Sequence, residues 1–182
     1  NTILQLAYAE WKASPARAKG TEPQLTLALA NPDSKNLAIA RRILEGARPE
    51  LDLAVRSTQL SKIDFARSWD KERIYEMKFP ELAYLKSFVK WLGYRAFLRT
   101  LEGDTSGAVR DLQAAFRLSR FAGSDPTAIS ALVQFSCETI VIRAIERVVT
   151  LRPSDVSFLT ALDQITEAQL ALGTDIHRSL RG

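Results

Sequence analysis

Glu138 stands midway along the most apolar stretch of the chain, PTAISALVQFSCETIVIRAIERVV. A lone carboxylate is costly to bury, so in such surroundings it must be paired, protonated or turned to water. Pairing with an arginine such as Arg95, Arg99 or Arg143 is the plainer expectation. The sharper one is a general acid of raised pKa in a cleft, a device of glycan-cleaving enzymes built from helices. Cys137, its neighbour, is the only cysteine, so no disulfide forms within the chain. With no histidine nearby, it reads as a buried, inert thiol. His177 is the only histidine, and Asp175 is the only carboxylate close to it in sequence. A metal site or a nucleophile–histidine pair needs more ligands than that, so His177 reads as a surface residue. EGDTSG lacks the lysine and the spacing of a phosphate-binding loop. No cofactor or metal is expected.

Arginines offer a different chemistry. Arg95 and Arg99 lie one turn apart, and Arg110 and Arg117 lie two turns apart on the next segment, which also carries Arg120. Together they could line a basic groove for an anionic peptide, a lipid headgroup or a nucleic acid. Interleaved Glu102, Asp104 and Asp111 point instead to ordinary pairing. A nucleic-acid interface wants a denser patch, and a net charge of +4 over 182 residues is a modest excess. Trp69, Tyr75, Phe79, Tyr84, Trp91 and Tyr94 concentrate in one region. They either cap the core or line a pocket for a peptide or glycan. The candidate binding set is therefore Arg95, Arg99, Arg110, Arg117, Trp69, Trp91 and Tyr94, with Glu138 as the one candidate catalytic residue.

The elements that must hold these residues all read as helices. Ile3, Leu6, Ala7 and Trp11 repeat at helical spacing, and Pro15, Gly20 and Pro23 predict a loop after them. Asn31 and Pro32 are placed to open the next helix as cap and first residue. Leu37, Ala40, Ile43, Leu44 and Ala47 form its stripe, Gly46 and Pro49 stop it, and Pro49 starts another. Residues 63–79 show no clean period and predict a long loop, a feature that is uncommon and sometimes functional. A long helix begins at Pro80. Gly103 and Asp104 make a turn into GDTSGAVRDLQAAFRLSR, and AGSDP makes another, with Ser124 or Asp125 as cap. The segment after it is apolar on most of its circumference, the pattern of a central helix. Pro153 and Ser154 restart the chain into SDVSFLTALDQITEAQLALG, Gly173 ends that helix, and a short last one follows. No stretch alternates with the period of a strand. The expected fold is all-α: one antiparallel bundle or hairpin array of seven to eight helices over residues 1–182.

Composition is that of a globular chain, 46% hydrophobic and 25% charged. At this length roughly 70% of the unfolded surface can be buried without disulfides or metals. No apolar run is expected to span a bilayer, since Glu138, Arg143 and Glu146 break the longest one. A start at Asn1 and an end within a running helical pattern suggest a piece of a longer protein.

The turn at Gly103 carries a resemblance. Ala96 before it, and Ala108, Leu112 and Ala115 after it, occupy the small and apolar positions at which tetratricopeptide hairpins cross. Arg99 stands where that repeat has a tyrosine, and Pro126 comes too late to close the unit. A shift of about 34 residues finds no second copy, since Cys137, Ile142 and Glu146 replace Gly, Ala and Leu. Residues 57–149 also resemble a group of bacterial all-helical proteins, through Ala96, Gly103, Asp104, Ala108, Asp111, Leu112, Pro126, Ile129, Leu132, Val133 and Glu138. That resemblance implies an extracytoplasmic domain held near a membrane by a segment preceding Asn1, and it brings no activity with it. The function expected is non-catalytic binding of a protein or peptide in a groove between helices, with arginines selecting acidic partners and aromatics anchoring them. An enzyme acting on glycans through Glu138 is the alternative. A structural oligomer subunit would instead show a large exposed apolar helix face.

Overall fold

The computed structural model describes residues 2–60, 65, 78–165 and 167. Every regular element among them is a helix: α1 (Thr2–Ala13), α2 (Thr21–Ala30), α3 (Ser34–Gly46), α4 (Arg48–Ser57), α5 (Pro80–Glu102), α6 (Thr105–Ala122), α7 (Ala128–Leu151) and α8 (Val156–Ile165), with a 3-10 turn at Pro15–Arg17. The all-α array is as the sequence predicts. Most of the irregular 63–79 segment, including Trp69 and Tyr75, lies outside the described residues, as do Gly173, Asp175 and His177.

Three helix starts differ from the reading above. Pro23 does not hold a loop open but sits in the first turn of α2. The first turn needs no N–H from that position, so proline is tolerated there. The cap of α3 is Asp33, whose Oδ1 accepts the Asn36 N–H at 2.7 Å, while the Asn36 side chain donates to the Asn31 carbonyl. The cap of α7 is Thr127, whose Oγ1 accepts the Ser130 N–H at 3.1 Å, so Pro126 precedes the helix. At α3 and α7 several residues competent to cap stand close together, and the one whose oxygen reaches the third amide takes the role.

The α5–α6 hairpin forms as its sequence predicts. Gly103 adopts φ 85°, a left-handed conformation suited to glycine, and closes α5. Asp104 then accepts the Gly107 N–H at 2.9 Å and opens α6. Ala96, Ala108 and Ala115 are wholly buried where the two helices meet.

The centre of the array is α5. It packs against α2, α3, α4, α6 and α7, and all eight residues from Trp91 to Leu98 are buried. Tyr8 and Trp11 of α1 close one end, with Trp11 packed on Phe88 and Trp91 at 5.2 and 5.1 Å between ring centroids. The expectation that α7 is central is overturned. Only Ser130, Cys137, Val141 and Val148 of its 24 residues are buried, a single stripe facing α5 and α6. Apolar character supplies a capacity for burial, but among the described residues α5 and α6 cover only this stripe of α7. This helix also meets, by length and composition, the requirement for crossing a membrane, contrary to the sequence reading. Its first eighteen residues carry only two charges, Glu138 and Arg143, too few to cancel the apolar character of the stretch.

Candidate functional site

Arg95 and Arg99 project from adjacent turns of α5, and both meet the same buried carboxylate. Arg95 donates to Asp111 through Nε at 2.9 Å and Nη2 at 2.7 Å, and through Nη1 to Asp52 at 2.7 Å. Arg99 donates to Asp111 at 2.9 Å and to the Gly107 carbonyl at 3.1 Å, with Asp104 at 3.6 Å. Burial raises the Asp111 carboxyl above the ordinary carboxylate value, against the opposing pull of Arg95 and Arg99. The side chains of Arg95 and Asp111 are 8% and 1% exposed, so this is an internal clasp joining α4, α5 and α6. Its arginines are occupied.

The other predicted arginines do not join them in one groove. Arg110 is exposed on the outside of α6, and Arg117 reaches the Thr58 carbonyl at the end of α4. Between α3 and α5 lies a cavity of about 270 Å³ edged by Arg41, Arg48, Arg95 and Arg99. Each of those arginines is paired: Arg41 with Glu102, Arg48 with Glu45, and the α5 pair as described. That cavity is polar but internally neutralised.

Glu138 pairs with none of the three arginines expected. Its Oε1 accepts the Gln134 side-chain amide at 2.8 Å, and its charge reaches Arg120 on α6. Burial lowers the pKa of Arg120 while Glu138 works to raise it. Neither cavity described here is lined by Glu138. Cys137 is fully buried, and burial pushes its thiol up to about 11, which suits the inert reading. Among the described residues no cluster of histidine, cysteine and carboxylates is arranged to hold a metal ion.

The predicted aromatics divide. Trp91 is a core residue, 1% exposed. Tyr94 lines a groove between α5 and α7, its hydroxyl bonded to Thr26 Oγ1 at 2.9 Å. The groove holds about 150 Å³, is mainly apolar, and has Phe97 and Ile140 on its walls. Gly93 and Ala144 mark the close approach of the two helices: a Cβ at Gly93 would lie 3.2 Å from the Ala144 Cβ. Three cations rim it. Lys90 is paired with Glu22. Arg147 stacks over Phe97 at 4.4 Å from the ring centroid, and Arg143 stands one turn before it. Among the described residues neither arginine has a carboxylate partner, Glu146 included.

Beside the groove, the outer face of α7 is apolar and open. Leu132 is 69% exposed, Phe135 70%, and Ile129 and Ile142 about half. Neither feature is legible in the sequence, because the apolar circumference of α7 predicts a buried core helix. The available signal was Arg143 and Arg147 themselves, like charges one turn apart. Comparison with protein-family models, with curated proteins and with solved structures returns no match.

Proposed function

We propose that this chain is a non-catalytic helical domain that binds a protein or peptide partner. One observation carries the reading: the outer face of α7 exposes Leu132 and Phe135 on successive turns and Ile142 two turns further on, beside a groove rimmed by two arginines that have no carboxylate partner among the described residues. Large apolar side chains aligned in this way mark interaction surfaces rather than scattered surface hydrophobics. A structural oligomer subunit would show the same face, but the like-charged arginines beside it favour an acidic partner over a second copy of this chain. The sequence resemblance supports reading the domain as part of a membrane-anchored or exported bacterial protein, with the α5–α6 pair as a tetratricopeptide-like hairpin. The alternative, a glycan-cleaving enzyme with Glu138 as general acid, draws no support from the site. That carboxylate is held by Gln134 and faces neither cavity. Nor do the two arginines make the dense patch that nucleic acid requires.

The test is a photo-crosslinking phenylalanine analogue at Phe135 of the full-length protein in its native cells, beside the same analogue at exposed Thr160. A discrete protein adduct is expected from position 135 and not from 160. Absence of an adduct, or a lipid adduct alone, would sink the reading.

A further inference from the structure

We propose that the α5–α7 groove receives one large apolar side chain of an acidic peptide segment, whose flanking carboxylates fall on Arg143 and Arg147. The inference rests on the binding reading above and specifies the chemistry of the partner. Size is the first argument. Pockets for cofactors and metabolites run to roughly 300–1,000 Å³. This groove, at about 150 Å³, has room for a single side chain. Its walls, Phe97 and Ile140, suit an aliphatic or aromatic knob, the kind of anchor that dominates peptide interfaces.

Charge is the second argument. Lys90, at one rim, is already neutralised by Glu22. Arg143 and Arg147 are not neutralised among the described residues, and as like charges one turn apart they repel each other. A carboxylate placed between or beside them removes that repulsion and gains a charge-assisted hydrogen bond. Arg147 is fixed over the Phe97 ring, so it is positioned before any partner arrives.

An anionic membrane fits less well. The cations edge a concave, one-residue pocket, which a single protruding side chain enters and a flat lipid surface does not. Nucleic acid fits less well again, because Tyr94 and Phe97 are 8% and 7% exposed and offer no open ring for a base to stack on.

The experiment selects a phage-displayed random peptide library on the full-length protein. An enriched peptide is then titrated by fluorescence anisotropy. The expected consensus is one Leu, Ile, Phe or Trp with Asp or Glu within about one helical turn of it. Binding should weaken at least about tenfold in the Arg143→Glu/Arg147→Glu variant and become less sensitive to salt. Ile140→Trp, which fills the groove from its wall, should also abolish binding. Circular dichroism melts of both variants establish that they are folded. Should Ile140→Trp not fold, the charge-reversal variant alone decides, since both its positions lie on the groove rim. A consensus without acids, titrations unchanged by the charge reversal, or no enriched peptide would overturn the proposal. So would phosphatidylglycerol vesicles whose binding depends on both arginines while no peptide is selected. If the Phe135 crosslink persists through any of these failures, the groove assignment falls and the binding reading stands. Loss of that crosslink as well removes both.

Discussion

The helices α5 and α7 are nearly equal in length, at 23 and 24 residues, and each carries a pair of arginines one turn apart. Their fates differ. α5 buries thirteen residues and folds Arg95 and Arg99 into a clasp on Asp111. α7 buries four and leaves Arg143 and Arg147 on the rim of a groove. The same local pattern thus serves cohesion in one helix and is available for recognition in the other. What separates them is the facing element: α6 presents a buried carboxylate to α5, and nothing described presents one to the α7 pair.

The largest effect should come from breaking the clasp. Asp111→Ala leaves Arg95 buried with only the half-exposed Asp52 to answer it. Removing one partner of a buried ion pair costs about 3–5 kcal/mol. Arg147→Ala, its counterpart on α7, should cost no more than about 1 kcal/mol, the worth of its stacking on Phe97. Urea denaturation followed by circular dichroism measures both. Equal losses would mean that the two arginine pairs are equivalent and that the contrast between the helices is false.

The apolar faces give a second, smaller contrast. Leu92 on α5 is fully buried, whereas Leu132 on α7 is 69% exposed. Leu92→Ala should cost about 2–5 kcal/mol through lost burial and the cavity left behind. Leu132→Ala should change stability by less than about 0.5 kcal/mol. A large loss at Leu132 in the isolated chain would show that its face is covered and is no docking surface.

These contrasts also mark what could be read from sequence. The α5–α6 hairpin was legible because its determinants are local: a glycine that accepts positive φ, an aspartate one residue on that caps, and alanines at the crossing. The all-helical fold was legible from periodicity alone. The place of α7 was not, since periodicity reports which residues can be buried and is silent on how many neighbours arrive. The clasp was half legible. Asp111 was recognised as interleaved acid, but its reach to both Arg95 and Arg99, with Asp52 joining from α4, is a tertiary fact. For the same reason the sequence points to binding arginines on α5 and α6, where Arg95 and Arg99 share the spacing of the α7 pair but meet a different environment. Tyr94 was identified from its neighbourhood of aromatics and does line the groove, whereas Trp91 belongs to the core.

Cys137 supplies the finest test, because it reports the register of α7 directly. Its Sγ lies on the buried stripe with Val141, and Leu132 and Phe135 lie on the opposite side. Burial pushes the thiol up to about 11, so only about one molecule in a thousand carries a thiolate at pH 8. An ordinary thiol titrates near 8.5, so the unfolded chain loses this proton first. The contribution of the site to stability is therefore complete below about pH 8.5 and is lost as pH rises toward 11. In the folded protein at pH 8, an aromatic disulfide reagent should react with Cys137 only at the rate of unfolding. A thiol introduced by Leu132→Cys, in a Cys137→Ala background, should react at the rate of a free peptide thiol and accelerate between pH 7 and 9. Comparable rates at the two positions would mean that α7 does not hold this register against α5 and α6. The groove and the open face, both consequences of that register, would then be lost together.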